Sequence, residues 1–168
     1  LVILDKTGTI TEGHPTVTRV NATGTDEQQL LALAAGLEQH SEHPLAEAVV
    51  RYARKQEINP AAVTGFEALN GKGVQGTLDG KTLRLGNRRW LEAEGLSVEA
   101  LDDAAATITR EAGTPLFLAV GQQVLGVIGV ADAIKPDSEA AIRRLHDAGI
   151  KVMMVTGDVD ATAKAIAA

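Results

Sequence analysis

Two short aliphatic runs, one near each end, constrain this chain most: Leu1-Val2-Ile3-Leu4 leads into Asp5-Lys6-Thr7-Gly8-Thr9, and Val152-Met153-Met154-Val155 leads into Thr156-Gly157-Asp158. An unbroken apolar tetrad closed by a loop rich in Gly and Thr predicts a strand buried on both faces. Between residues 138 and 149 the apolar Ala141, Ile142 and Leu145 share one helical stripe, and Gly149 supplies a stop. Helix, strand and loop together make an α/β unit, so the two ends are expected to lie side by side. Everything between them is then an insert.

The insert has a different pattern. Thr25 with Gln28 forms a capping box that opens a helix through about Gln39, and Pro44 stands at the first turn of a second helix running to about Glu57. Strands are expected at 16–20, 63–68, 73–78, 81–85, 115–120 and 123–130, with Asp79-Gly80 as a hairpin turn and one helix from Ser97 to Gly113. Short connections favour antiparallel pairing. The expected fold is an α+β domain, about six antiparallel strands with flanking helices, set into a partial α/β domain. Its bounds are 12–130, with Asp132-Ala133-Ile134-Lys135-Pro136 as the return hinge and Pro136 starting the next helix; residues 1–11 and 131–168 form the other domain.

Charge and composition remove several function classes. Sixteen basic against twenty-two acidic side chains give a net charge of -6, without the basic cluster that nucleic-acid phosphates require. There is no cysteine, hence no disulfide, thiolate metal site or cysteine nucleophile. No apolar run reaches the roughly twenty residues that span a bilayer. The chain starts at Leu1 inside one apolar run and ends at Ala168 inside a helix-like run, which reads as a piece cut from a longer protein.

A carboxylate at the C-terminal end of a parallel strand, followed by backbone N–H groups and hydroxyls, is placed to attack a phosphoryl group. A lone Asp there would more often be a turn or cap residue. The whole string Asp5-Lys6-Thr7-Gly8-Thr9-Ile10-Thr11, however, resembles the phosphorylation signature of P-type ATPases, which have the haloacid dehalogenase-like fold. The resemblance implies that Asp5 is the phosphorylated nucleophile, supported by Lys6, Thr7, Thr156, Gly157 and Asp158, with Mg2+ near Asp5 and Thr7. Phosphatases of that superfamily carry a second aspartate two residues after the nucleophile as acid and base. Thr7 stands at that position here, so an acyl phosphate should persist.

In the insert, Glu38, Ser41-Glu42-His43-Pro44, Gly71-Lys72-Gly73 and Gly86-Asn87 are each weak signals alone. Together they resemble the nucleotide-binding domain of the heavy-metal, or P1B, branch, whose marker is Ser-Glu-His-Pro-Leu. That resemblance implies His43 against adenine, Glu38 accepting from the adenine amino group, and Gly71 and Gly73 letting backbone approach the nucleotide. Asn87 would complete the wall near the ribose and phosphates. Aromatics are only Tyr52, Phe66, Trp90 and Phe117, which leaves little for an aromatic clamp. Glu42 and Lys72 read as solvated, Trp90 as core, and His40 with His43 lacks a third ligand for a metal.

The function implied is the ATP-binding and phosphorylation region of a Cu+ or Ag+ exporting pump, a cytoplasmic part of an integral membrane protein. Its partners would be ATP, Mg2+ and the actuator and transmembrane domains of the parent chain. By itself the piece should be a monomer that binds ATP with little or no turnover. The alternatives are a Zn2+, Cd2+ or Pb2+ pump of the same branch and a haloacid dehalogenase-like phosphatase.

Overall fold

The computed structural model describes residues 1–155 and contains two sheets. Strands β1 (Val2–Asp5) and β8 (Val152–Val155) pair in parallel, Val2 opposite Val152 and Asp5 opposite Val155. Their side chains alternate between half-buried and exposed, so the expectation of burial on both faces is corrected: Ile3 is 60% exposed and Met153 51%. The apolar run was read as a fully covered strand, but among the described residues only one face is covered. Residues Thr156, Gly157 and Asp158 lie outside the described residues.

The second sheet has six strands in the order β2-β7-β6-β5-β4-β3, all antiparallel. They are β2 (Thr16–Ala22), β3 (Thr64–Leu69), β4 (Gly73–Leu78), β5 (Lys81–Gly86), β6 (Thr114–Val120) and β7 (Gln123–Ala131). Asp79 and Gly80 both take positive φ, 48° and 75°, the two-residue hairpin turn that the Asp-Gly pair favours.

Helices cover both faces of this sheet. Helices α1 (Glu27–Glu38) and α2 (Pro44–Lys55) pack over one face, where Leu30, Leu37 and Val49 meet Leu83, Leu85, Leu118 and Ile128. Helices α3 (Arg88–Ala93) and α4 (Asp102–Arg110) cover the other, where Trp90, Leu91 and Ile108 meet Phe117, Ala119 and Val127. The alternation along β6, Phe117 to one side and Leu118 to the other, is the strand's period of two expressed as two cores. Each fully buried Leu, Ile or Phe contributes roughly 1.5–3 kcal/mol.

Three local expectations are corrected. The cap of α1 is Asp26, whose Oδ1 accepts from Gln29 N at 2.7 Å, one residue past Thr25; Asp caps at least as well as Thr. The long helix expected from Ser97 shortens to α4 behind a turn at Glu99–Leu101, because buried Leu96 and Val98 precede it in non-helical backbone. Helix α3 was not foreseen. Finally, α5 (Ser138–Asp147) starts at Ser138 rather than Pro136, and no helix among the described residues is long and apolar enough to cross a membrane.

Candidate functional site

Asp5 ends β1 with an exposed side chain, and the next five residues form the turn Lys6–Ile10. Inside it Thr7 is extended (φ -73°, ψ 123°) and Gly8 takes φ 76°, a conformation open to glycine and strained for most other residues. Lys6 is buried although charged, and Thr7 is exposed.

The turn is held from behind by the hinge. Lys135 Nζ donates to Gly8 O at 2.6 Å, Lys135 N to Ile10 O at 3.0 Å, and Ser138 Oγ to Ile10 O at 2.8 Å. Asp132 accepts from the Thr11 hydroxyl, Gly13 N and His14 N. Asp132 and Lys135 entered the sequence reading only as hinge residues. Their polarity inside a segment that joins two domains was the available signal.

Glu38 closes α1 and is 6% exposed, the only buried carboxylate among the described residues. Burial pushes its carboxyl up to about 7, and a hydrogen bond from the Ser41 side chain pulls the other way. A carboxyl so placed changes its charge near neutrality. His43 lies at the start of α2, where its Nδ1 accepts from Leu45 N at 3.2 Å. The imidazole therefore caps the helix through one nitrogen while the exposed ring leaves the other nitrogen and its faces to solvent. His40 packs on Phe66 at 5.7 Å between ring centroids, which ties the α1–α2 connection to β3.

Gly71 has φ 69° and no atom within 4 Å of where a Cβ would be, so its surroundings are open. Gly73 differs. A Cβ there would lie 2.2 Å from Leu85 O, so the protein's own β4–β5 pairing already demands glycine, whatever else approaches. Asn87 clamps this turn: its Nδ2 donates to Gly71 O at 2.8 Å, its backbone N to Lys72 O at 2.9 Å, and its Oδ1 caps α3 by accepting from Trp90 N at 2.9 Å. Asn87 thus shapes the glycine turn through bonds to the protein itself. Glu42 and Lys72 are exposed and Trp90 is buried, as their residue types predict.

Two cavities of about 300 and 380 Å³ lie along Asp26 to Ala32 and between Gln39, Arg54 and Pro60. Neither is lined by Glu38, His43, Gly71 or Gly73; His43 and Gly71 are exposed, and Glu38 is buried. Among the described residues no group of three or more His, Asp or Glu converges as a metal site. Asp5 and Thr7 alone do not make a site for Mg2+.

The chain is similar to several known proteins. Residues 1–168 match the haloacid dehalogenase-like hydrolase family. The chain is similar to a copper-transporting P-type ATPase of Rhizobium leguminosarum bv. viciae, 46% identical over 167 residues, 99% of this chain and 20% of that protein. Among solved structures it is similar to a zinc-transporting PIB-type ATPase in its E2.Pi state, with TM-score 0.73, 33% identity and coverage of 99% of this chain and 27% of the other. It is also similar to the N-domain of HMA6, a copper-transporting P-type ATPase, at TM-score 0.58 and 26% identity, covering 70% of this chain and 98% of that one. The chain spans about one fifth of the length of the curated relative it matches.

Proposed function

The chain belongs to the haloacid dehalogenase-like hydrolase family, and on that premise we propose that it is the ATP-binding and phosphorylation region of a P1B-type pump exporting Cu+ or Ag+. The observation that carries this reading is the placement of Asp5. It ends a parallel strand, is followed by a glycine turn, and that turn is bonded directly to the hinge of an inserted antiparallel domain. Likeness of 70% of the chain to a solved N-domain supports a nucleotide-carrying insert, for which we take the bounds 12–130.

In this reading adenine docks at the α1–α2 connection, with His43 along the ring and Glu38 accepting from its amino group. Gly71 and Gly73, shaped by Asn87, bring backbone close to the ribose and phosphates. An Asp5 carboxylate oxygen attacks the γ-phosphorus as the bond to the β–γ bridging oxygen breaks, so ADP leaves and an aspartyl phosphate remains. Lys6, Thr7, Thr156, Gly157 and Asp158 are assigned to the support of that group. Thr7 carries no acid or base for water attack, so the acyl phosphate lasts until another part of the pump hydrolyses it to inorganic phosphate. Mg2+ would neutralise phosphate charge; Asp5 and Thr7 supply only part of its shell, and for that reason the chain alone binds ATP with little or no turnover.

Copper and silver are favoured by the Ser41-Glu42-His43-Pro44 string and by the 46% identical relative. The likeness to a zinc-transporting structure supports the second reading, a Zn2+, Cd2+ or Pb2+ pump. Labelling the full-length membrane protein with γ-labelled ATP and quenching in acid tests both. Acid-stable label that Asp5→Asn removes, formed on addition of Cu+ or Ag+, is the expected result. Label that survives Asp5→Asn contradicts the assignment, and label formed only with Zn2+ selects the alternative.

A further inference from the structure

We propose that Asp132 is a positioning residue through which the inserted domain fixes the turn beside Asp5. This rests on the phosphoryl-transfer reading above. Three donors of the segment 11–14 meet at its carboxylate. Oδ2 accepts the Thr11 hydroxyl at 2.5 Å, Oδ1 accepts Gly13 N at 3.0 Å and His14 N at 3.1 Å, and Gly13 N is also 3.2 Å from Oδ2. Asp132 directly follows β7, the longest strand of the insert, while residues 11–14 lead from the phosphorylation turn into β2.

The chemistry of Thr11 transmits this contact. Thr11 is fully buried, and its oxygen lies 3.0 Å from Lys6 O and 2.5 Å from Asp132. A hydroxyl has one proton to give, and the shorter, charge-assisted partner takes it. A lone pair of the same Oγ1 accepts from Gly8 N at 3.3 Å. Lys6 O keeps its bond from Thr11 N at 3.0 Å. The Asp132 carboxylate therefore anchors the hydroxyl oxygen that holds the amide of Gly8, three residues after Asp5.

The same cluster reaches the nucleotide side. His14 is followed by Pro15, whose carbonyl accepts from Arg51 Nη2 of α2 at 2.5 Å, and α2 is the helix that His43 caps. One connected set of bonds thus runs from the helix bearing His43 to the turn bearing the phosphoryl acceptor. An alanine at position 132 would leave the Thr11 hydroxyl, Gly13 N and His14 N without this acceptor. The Thr11 proton would then turn to Lys6 O, and the oxygen that holds Gly8 N would lose its tie to the end of β7.

The test uses the full-length membrane protein, with phosphoenzyme formation followed by rapid quench in wild type, Asp132→Ala, Thr11→Val and the double variant. The expected result for Asp132→Ala is a fall of about tenfold or more in the rate at saturating ATP, with half-saturation by ATP unchanged within about twofold. Thr11→Val should reproduce the defect, and the double variant should lose less than about twofold beyond either single one. Unchanged rates per folded molecule, with only less protein in the membrane, would overturn the proposal, as would losses that multiply. A wild type that forms no acid-stable label at all would overturn the reading of Asp5 together with this one.

Discussion

The two sheets use burial in opposite ways. In the six-stranded part the buried groups are apolar and continuous, one cluster on each face, and helices cover both sides. In the two-stranded part Ile10 is the single buried apolar residue among the described residues, while the buried polar groups Lys6, Thr11 and Ser138 gather at the turn and hinge. Among the described residues all five large exposed apolar side chains, Leu1, Ile3, Ile134, Met153 and Val155, lie in this smaller part. The insert closes its own core; the parallel pair is organised by hydrogen bonds and leaves one apolar face uncovered among the described residues. The proposed function assigns holding nucleotide and accepting phosphate to these two parts, which differ in their source of order.

The largest effect expected from that contrast is on stability. Phe117→Ala removes a fully buried ring between α3, α4 and the sheet and should destabilise the insert by about 3–5 kcal/mol. Ile3→Ala, on the uncovered face, should change stability by less than about 1 kcal/mol in the same chemical denaturation experiment. Comparable losses at both positions would break the distinction.

A smaller effect sharpens it, because Glu38 is the exception inside the apolar part. Its carboxyl titrates near 7 in the folded chain against an ordinary value of 4.5. The folded state therefore binds more protons between those values, and stability should decline as pH rises from about 4.5 to 7 and level off above. Glu38→Gln removes the charged form and should abolish that decline, gaining on the order of 1–3 kcal/mol over wild type above pH 7. Denaturant midpoints from pH 4.5 to 8 check this; parallel curves for the two proteins would mean that Glu38 is not held in an apolar setting.

Much of this contrast could be read from residue order. The short runs 73–78 and 123–130 are legible as strands, their short connections point to partners a few residues away, and Asp79-Gly80 fixes the turn between β4 and β5. Helix starts were less legible, since Thr25, Asp26 and Ser97 all suit a cap and only packing selects among them. Helix α3 is too short for periodicity to announce, and its signal was Asn87 as a capping residue. At the site, the motif around Asp5 was plain, but the bonds from Asp132 and Lys135 join residues more than a hundred positions apart, where local pattern carries no information. Likewise Gly73 looked like a ligand-approach glycine until the pairing with β5 showed a demand of its own.

The claim on which the account turns is that the insert holds ATP by its base at His43. Since Nδ1 of that ring caps α2, a substitution must keep the cap while deleting the rest of the imidazole. His43→Asn does so, because its Oδ1 can stand where Nδ1 stands and Asn is among the best caps. Calorimetric titration of wild type and His43→Asn with ATP, ADP, AMP and GTP, beside thermal melts, is the direct measurement. The account predicts similar affinities for the three adenine nucleotides, weaker binding of GTP, and a loss of about 1–2 kcal/mol for ATP in His43→Asn with the melting temperature retained. Equal ATP affinity in the two folded proteins would remove His43 from the site and contradict the account.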